Sequence, residues 1–110
     1  MAIDKGIIRK FAIKQLNTNY CDCWAQNNTR VVPGRTFTGR KGVPDIIGYH
    51  TKTGLMVVCE VKTEKDTLSP EQMGLLQSVH DAGGIALIAY ESSQGNILVI
   101  DYVKYIMLKK

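Results

Sequence analysis

Three residues in this sequence could carry chemistry together. Asp45 follows Pro44 at the head of one apolar, β-branched segment; Glu60 and Lys62 close the next, two residues apart and so on one face of an extended strand. The intervening Thr51-Lys52-Thr53-Gly54 reads as a hairpin turn. If that turn centres on Lys52 and Thr53, Asp45 falls opposite Glu60. Cross-strand Cβ atoms lie about 4.5–5.5 Å apart, where two carboxylates repel; partial burial then raises the pKa of one or calls for a cation. A hard divalent metal resolves the conflict, since Mg²⁺ binds through one or two carboxylates and keeps waters for substrate and nucleophile. Lys62, on the same face, can stabilise charge developing on a phosphate or orient the attacking water. The chemistry these groups could do together is metal-assisted attack of water at a phosphate. It depends on register: a bulge at Gly54 that slips the pairing by one sends the carboxylates to opposite faces. An arbitrary Glu-x-Lys is in most sequences a pair of solvated strand charges. Here it interrupts the run Leu55–Val61, which is otherwise uncharged and apolar enough for burial on both faces, where unpaired charges are costly.

These residues need a scaffold. Between Asp4 and Leu16, Ile7, Ile8, Phe11, Ala12 and Leu16 recur at helical spacing, with Lys5, Arg9, Lys10 and Lys14 making the helix basic. A short strand is expected over Cys21–Gln26, ended by Asn27 and Asn28. From Thr29 to Val43 the chain holds Arg30, Arg35, Arg40, Lys41, three glycines and no acid, the pattern of a basic loop, with a short strand conceivable at Val31–Val32. The hairpin Pro44–His50 and Leu55–Lys62 follows, its second strand hydrophobic enough to be central. Leu68-Ser69-Pro70-Glu71-Gln72 is a helix start, with Ser69 as N-cap, Pro70 at the first helical position and Gln72 completing a capping box. That helix should reach Ala82 and stop at Gly83-Gly84. Ile85–Tyr90 and Ile97–Ile100 read as strands, and Val103–Leu108 as an apolar, helix-compatible tail. The order α-β-β-β-α-β points to an α/β fold, a mixed β-sheet flanked by helices.

The 110 residues, 45% hydrophobic and 22% charged, suit one domain spanning 1–110. A formal charge of +4 suits a polyanionic partner without demanding one. Cys21, Cys23 and Cys59 are sparse and odd in number, as expected of reduced intracellular thiols, and His50 and His80 lack the paired spacing of a zinc site. No signal-peptide pattern or run of about 20 apolar residues occurs, so an intracellular protein without membrane contact is expected.

Gly42-Val43-Pro44-Asp45 followed by Glu60-Val61-Lys62 resembles the PD-(D/E)xK nuclease signature, and Gly42–Gly48, Glu60–Lys65 and Leu68–Gln72 together resemble its VRR-NUC branch. The resemblance covers nearly the whole chain. It implies a restriction-endonuclease-like core and a Mg²⁺- or Mn²⁺-dependent deoxyribonuclease. Asp45, Glu60 and the Val61 carbonyl would hold the metal, Lys62 would act at the phosphate, and Gln72 would join the catalytic set as an auxiliary residue. Gln72 shares a helix face with Leu75, Leu76 and Val79, a polar group on a core-facing stripe; its role as capping-box partner of Ser69 accounts for it equally well. Family members often carry a metal-site glutamate on the first helix, but no Glu precedes Glu60 here. Asp4 could substitute, or act only on the helix dipole, so one metal or two stays open.

Arg40 and Lys41, a few residues before Asp45, are the stronger candidates for DNA-backbone contact, Arg35 and Arg30 the weaker. Tyr49 and Tyr90 are expected as core aromatics rather than stacking platforms, and neither is assigned a role. The resemblance further suggests branched or Holliday-junction DNA cut by a homodimer, with the first helix and the apolar tail as interface elements unless ordinary packing uses them. Two alternatives stand beside this reading: a non-catalytic DNA-binding accessory module on a nuclease fold, and a nuclease with another DNA preference.

Overall fold

Residues 3–26 and 42–109 are described by the computed structural model. Its elements are α1 (Lys5–Thr18), β1 (Cys21–Ala25), β2 (Ile46–His50), β3 (Met56–Lys62), α2 (Pro70–Asp81), β4 (Ile85–Glu91), β5 (Ile97–Asp101) and α3 (Tyr102–Leu108). The strands form one sheet in chain order. Three neighbouring pairs are antiparallel; β3 and β4 are parallel because the α2 crossover joins them. This is the mixed sheet flanked by helices that the pattern predicts, extended by β5 and α3 beyond the six-element order.

Alternation along the strands separates two cores. Cys23, Ile46, Val57, Cys59, Val61 and Ala89 face α1 and pack on Ile8, Ala12 and Leu16. Val58, Ala86, Ile88 and Tyr90 face the other way, onto Leu76 and Val79 of α2 and Tyr102 and Tyr105 of α3. β3, the middle strand, is buried on both faces from Val57 to Lys62. The apolar run predicts this, although Leu55 and Met56 at its start are exposed. Burial pushes the Cys59 thiol upward and that of Cys23 to about 11, so both stay protonated and inert.

The helix ends follow their local chemistry. Asp4 caps α1 by accepting from the Gly6 amide at 2.7 Å. Ser69 and Gln72 form the complete capping box of α2, with Pro70 in its first turn, and Gly83 leaves the helix at φ +89°. Two apolar expectations are corrected. Ile7 and Phe11 are 57% and 44% exposed, because one sheet face is wide enough to cover only the narrower Ile8, Ala12, Leu16 stripe. Tyr49 is 44% exposed on the α2 side of β2, while α2 packs over β3 and β4.

Hairpin register depends on the turn. The His50 amide donates to the Leu55 carbonyl and the Gly54 amide to the His50 carbonyl, with Gly54 at φ +75°. The left-handed glycine closes a four-residue loop without a slip, and Ile46 pairs with Cys59. Gly42 is constrained differently. It has φ +81°, and a Cβ there would lie 2.5 Å from the Glu71 carbonyl oxygen, so only glycine lets the chain entering β2 rest on the first turn of α2. Gly42→Ala should lower stability by about 1–3 kcal/mol, read as a fall in the urea midpoint at unchanged m-value. An unshifted midpoint would show that this contact does not hold the entry to β2.

Candidate active site

The site forms where β2 parts from β3. Ladder pairing ends at Ile46–Cys59, so Asp45 sits one step past it, on the side facing Glu60. Its Oδ2 accepts from the Val61 amide at 2.9 Å, and its backbone carbonyl accepts from the Gln26 amide at 2.7 Å. Asp45 thus ties the ends of β1, β2 and β3 together. An extended residue directs its N–H and C=O to the same edge, so the Val61 carbonyl lies along the edge on which Asp45 sits.

Glu60, on the α2 face of the central strand, is 1% exposed. Its Oε2 is buried without a hydrogen-bond partner. Desolvation, reinforced by the neighbouring Asp45 carboxyl, drives its pKa from 4.5 up to about 9, against the pull of Lys62 and Lys5. A buried carboxylate with an orphaned oxygen beside a second carboxylate is an arrangement a divalent cation would satisfy. No three His, Cys, Asp or Glu side chains converge among the described residues. The donors on offer are two carboxylates and a main-chain carbonyl, enough for Mg²⁺, which binds through one or two carboxylates and retains waters.

Lys62 is 4% exposed, with its Nζ donating to Gln72 Oε1 at 2.9 Å and to the Thr67 carbonyl at 3.1 Å. Gln72 Oε1 also accepts from the Ser69 amide at 2.9 Å, while the Gln72 amide donates to Ser69 Oγ at 3.1 Å. The two sequence readings of Gln72 therefore coincide in one oxygen: the capping box holds it where it meets the lysine. All these groups gather at the carboxyl ends of the parallel strands and the start of the crossover helix, where open α/β sheets place their ligands.

Asp45, Glu60, Val61, Lys62 and Gln72 are thus brought together. Asp4 is engaged by its own helix, consistent with the dipole reading. Arg30, Arg35, Arg40, Lys41 and the Val31–Val32 segment lie outside the described residues. Sequence reasoning missed three contributors. Lys5, at the start of α1, lies near enough to act electrostatically on Glu60 and Asp66. Asp66 accepts from the Thr63 amide at 3.1 Å, which holds its carboxyl below the usual range and closes the loop carrying Thr67. Thr67 contributes through its backbone, which no side-chain pattern reports. Asp66 had a signal, an acid three residues after Thr63 in a turn before a helix.

Residues 10–92 match the VRR-NUC domain. No curated protein matches the chain. Among solved structures it is similar to Hjc from Archaeoglobus fulgidus, a Holliday junction resolvase from an archaeal hyperthermophile, at 17% identity and a TM-score of 0.53, over 93% of this chain and 92% of that one. At that identity the likeness is one of fold.

The Glu60 shift has a fixed sign. An acid whose folded pKa is raised stabilises the fold fully below its unfolded value, near 4.5, and that contribution is lost as pH rises through about 9. In EDTA, Glu60→Gln should flatten the decline in Tm across that window and gain about 1–3 kcal/mol over wild type at its alkaline end. Parallel wild-type and variant profiles would refute the buried, unsatisfied carboxylate.

Proposed function

Because the chain belongs to the VRR-NUC domain family, we propose that it is a Mg²⁺- or Mn²⁺-dependent deoxyribonuclease acting as one domain over residues 1–110. The observation that carries this reading is the buried, unpartnered Glu60 Oε2 beside Asp45, with the Lys62 ammonium fixed on the same face.

Asp45, Glu60 and the Val61 carbonyl would hold the cation, which when bound supplies Lewis-acid activation of the phosphate and of water. The protein's part is orientation. Asp45 is locked through Oδ2 by the Val61 amide, and its other oxygen would serve the cation. An ammonium has three donors. Two are taken by Gln72 and Thr67, leaving one for a phosphate oxygen as charge develops on it. Gln72 acts through Lys62 and is a positioning residue. The walls of β3 and the first turn of α2 keep bulk water from the ammonium, which strengthens its interaction with the phosphate.

The preferred substrate in this proposal is branched DNA, the Holliday junction included, cut by a homodimer. Two strands must be cut at a fixed separation, and the exposed Ile7 and Phe11 of α1 and Met107 and Leu108 at the end of α3 offer apolar surface for a second copy. No described helix is long and apolar enough to cross a membrane, and the proposed setting is the cell interior. The accessory-module reading is disfavoured by the complete Asp45, Glu60, Lys62 arrangement.

Labelled four-way junction, flap and linear duplex should be incubated with the protein in Mg²⁺, Mn²⁺ or EDTA. Metal-dependent cleavage is expected, with Lys62→Ala lowering kcat about 10²–10³-fold while DNA affinity is kept. Binding without cleavage on every substrate would move the chain to the accessory-module reading; equal cutting of all three would keep the chemistry and remove the branched preference. Gln72→Ala should lower kcat about tenfold and alter its pH profile, because Lys62 loses the acceptor that orients it. An unchanged profile with lower stability would leave Gln72 as a helix cap only.

A further inference from the structure

We propose that Trp24 is a stacking platform for an unpaired DNA base beside the scissile phosphate, an inference that rests on the nuclease reading and supplies its preference for branched substrates. Trp24 lies on edge strand β1, opposite Ile47 of β2. Cys21 and Cys23, its alternates, pack with the α1 core, so the indole is on the other face, the one that carries Asp45 and Glu60. Ile47 follows Asp45 by two residues on that face, which puts the indole one strand across and one side-chain step along from the carboxylate. The backbone bond from Gln26 to Asp45 fixes this offset.

The surface is unusual for its position. Trp24 is 48% exposed and Tyr49, the next residue along that face of β2, is 44% exposed, in a part of the sheet that α2 does not cover. The Tyr49 hydroxyl donates to Asp22 Oδ2 at 3.2 Å, so the tyrosine is committed to its neighbour, while the indole makes no hydrogen bond to another described residue. An apolar, π-faced side chain on an edge strand, one step from the half-buried Asp45 carboxylate, suits a flat, neutral group rather than a phosphate, and Asp22 at the far end of the shelf repels backbone charge. Charge complementarity identifies the owner of that group. The chain between Gln26 and Asp45, anchored at both ends by this same bond, carries Arg30, Arg35, Arg40 and Lys41 and no acid, within a protein of formal charge +4. Nucleobases in duplex DNA are stacked on one another and unavailable. Those in a flap or mismatch are free to stack, and those bordering an opened branch point lose one stacking neighbour, so the platform discriminates by the state of the base stack without reading sequence.

Trp24 is the sole tryptophan, so its fluorescence reports the contact directly. The full-length protein in EDTA, where no cleavage is needed, should be titrated with an oligo-dT strand, a flap, and a continuous duplex of equal length. Quenching is expected with the strand and the flap and not with the duplex. Trp24→Ala should weaken binding of the strand about 5–100-fold and leave duplex binding unchanged, while Trp24→Phe recovers most of the loss. A strand carrying an abasic residue at each position should bind without quenching. Equal quenching by duplex, or strand affinity unaltered in Trp24→Ala, would overturn the proposal. So would an emission shift that follows protein concentration without DNA, which would assign the indole to a second copy of the chain. Cleavage without quenching removes the platform alone. Quenching without metal-dependent cleavage keeps the platform and removes the nuclease reading.

Discussion

Two carboxyl groups occupy one end of a sheet where the geometry discourages charge on both. Glu60 is there because β3 is the central strand, and Asp45 because the hairpin register brings the residue just beyond the last β2–β3 pair against it. Repulsion and desolvation together raise the Glu60 pKa, and one of its oxygens has no hydrogen-bond partner among the described residues. Most other features of the site serve to hold that unfavourable contact in place. Gly42 lets the incoming chain lie on α2, the Val61 amide pins one carboxylate, and the α2 capping box supplies the oxygen that meets the lysine. Strain of this kind persists only where the surroundings over-determine it, which is common where a cation or substrate completes the arrangement.

Much of this was legible in the residues. The hairpin register follows from a four-residue turn ending in Gly54, and the α2 start from Ser69, Pro70 and Gln72, because local chemistry determines both. The placing of Asp45 beside Glu60, one step past the last β2–β3 pair, and the burial of β3 follow from the same pattern. What was not legible depends on tertiary packing. The helical spacing of Ile7 and Phe11 matches that of Ile8 and Ala12, and only the width of the sheet face separates the buried stripe from the exposed one. Tyr49 has the composition of a core aromatic, but α2 packs over β3 and β4, and the ring at the far end of β2 stays exposed. Thr67 contributes a carbonyl and Lys5 a long-range field, and neither leaves a side-chain motif to read.

The two faces of the sheet divide the work. The α1 face is filled by small and branched side chains, Val61 among them, whereas the side chains of Glu60 and Lys62 project from the α2 face. Gly48 shows how tight the first face is: a Cβ there would lie 2.1 Å from the Asp22 carbonyl oxygen and 2.7 Å from Cys23 Sγ, so β1 could not keep its pairing. Close packing on one side thereby fixes the lateral position of the edge strand, and with it the offset between Trp24 and Asp45 on the other.

The bond from the Gln26 amide to the Asp45 carbonyl carries the contact between β1 and the β2 strand line one step past the last ladder pair, Ala25–Ile46. Asp45 is therefore gripped twice, through its main chain by β1 and through its carboxylate by the Val61 amide of β3. In mechanical terms it is a keystone: a shift of either neighbouring strand is transmitted to the carboxylate, so the stiffness of the sheet sets how precisely that group is aimed.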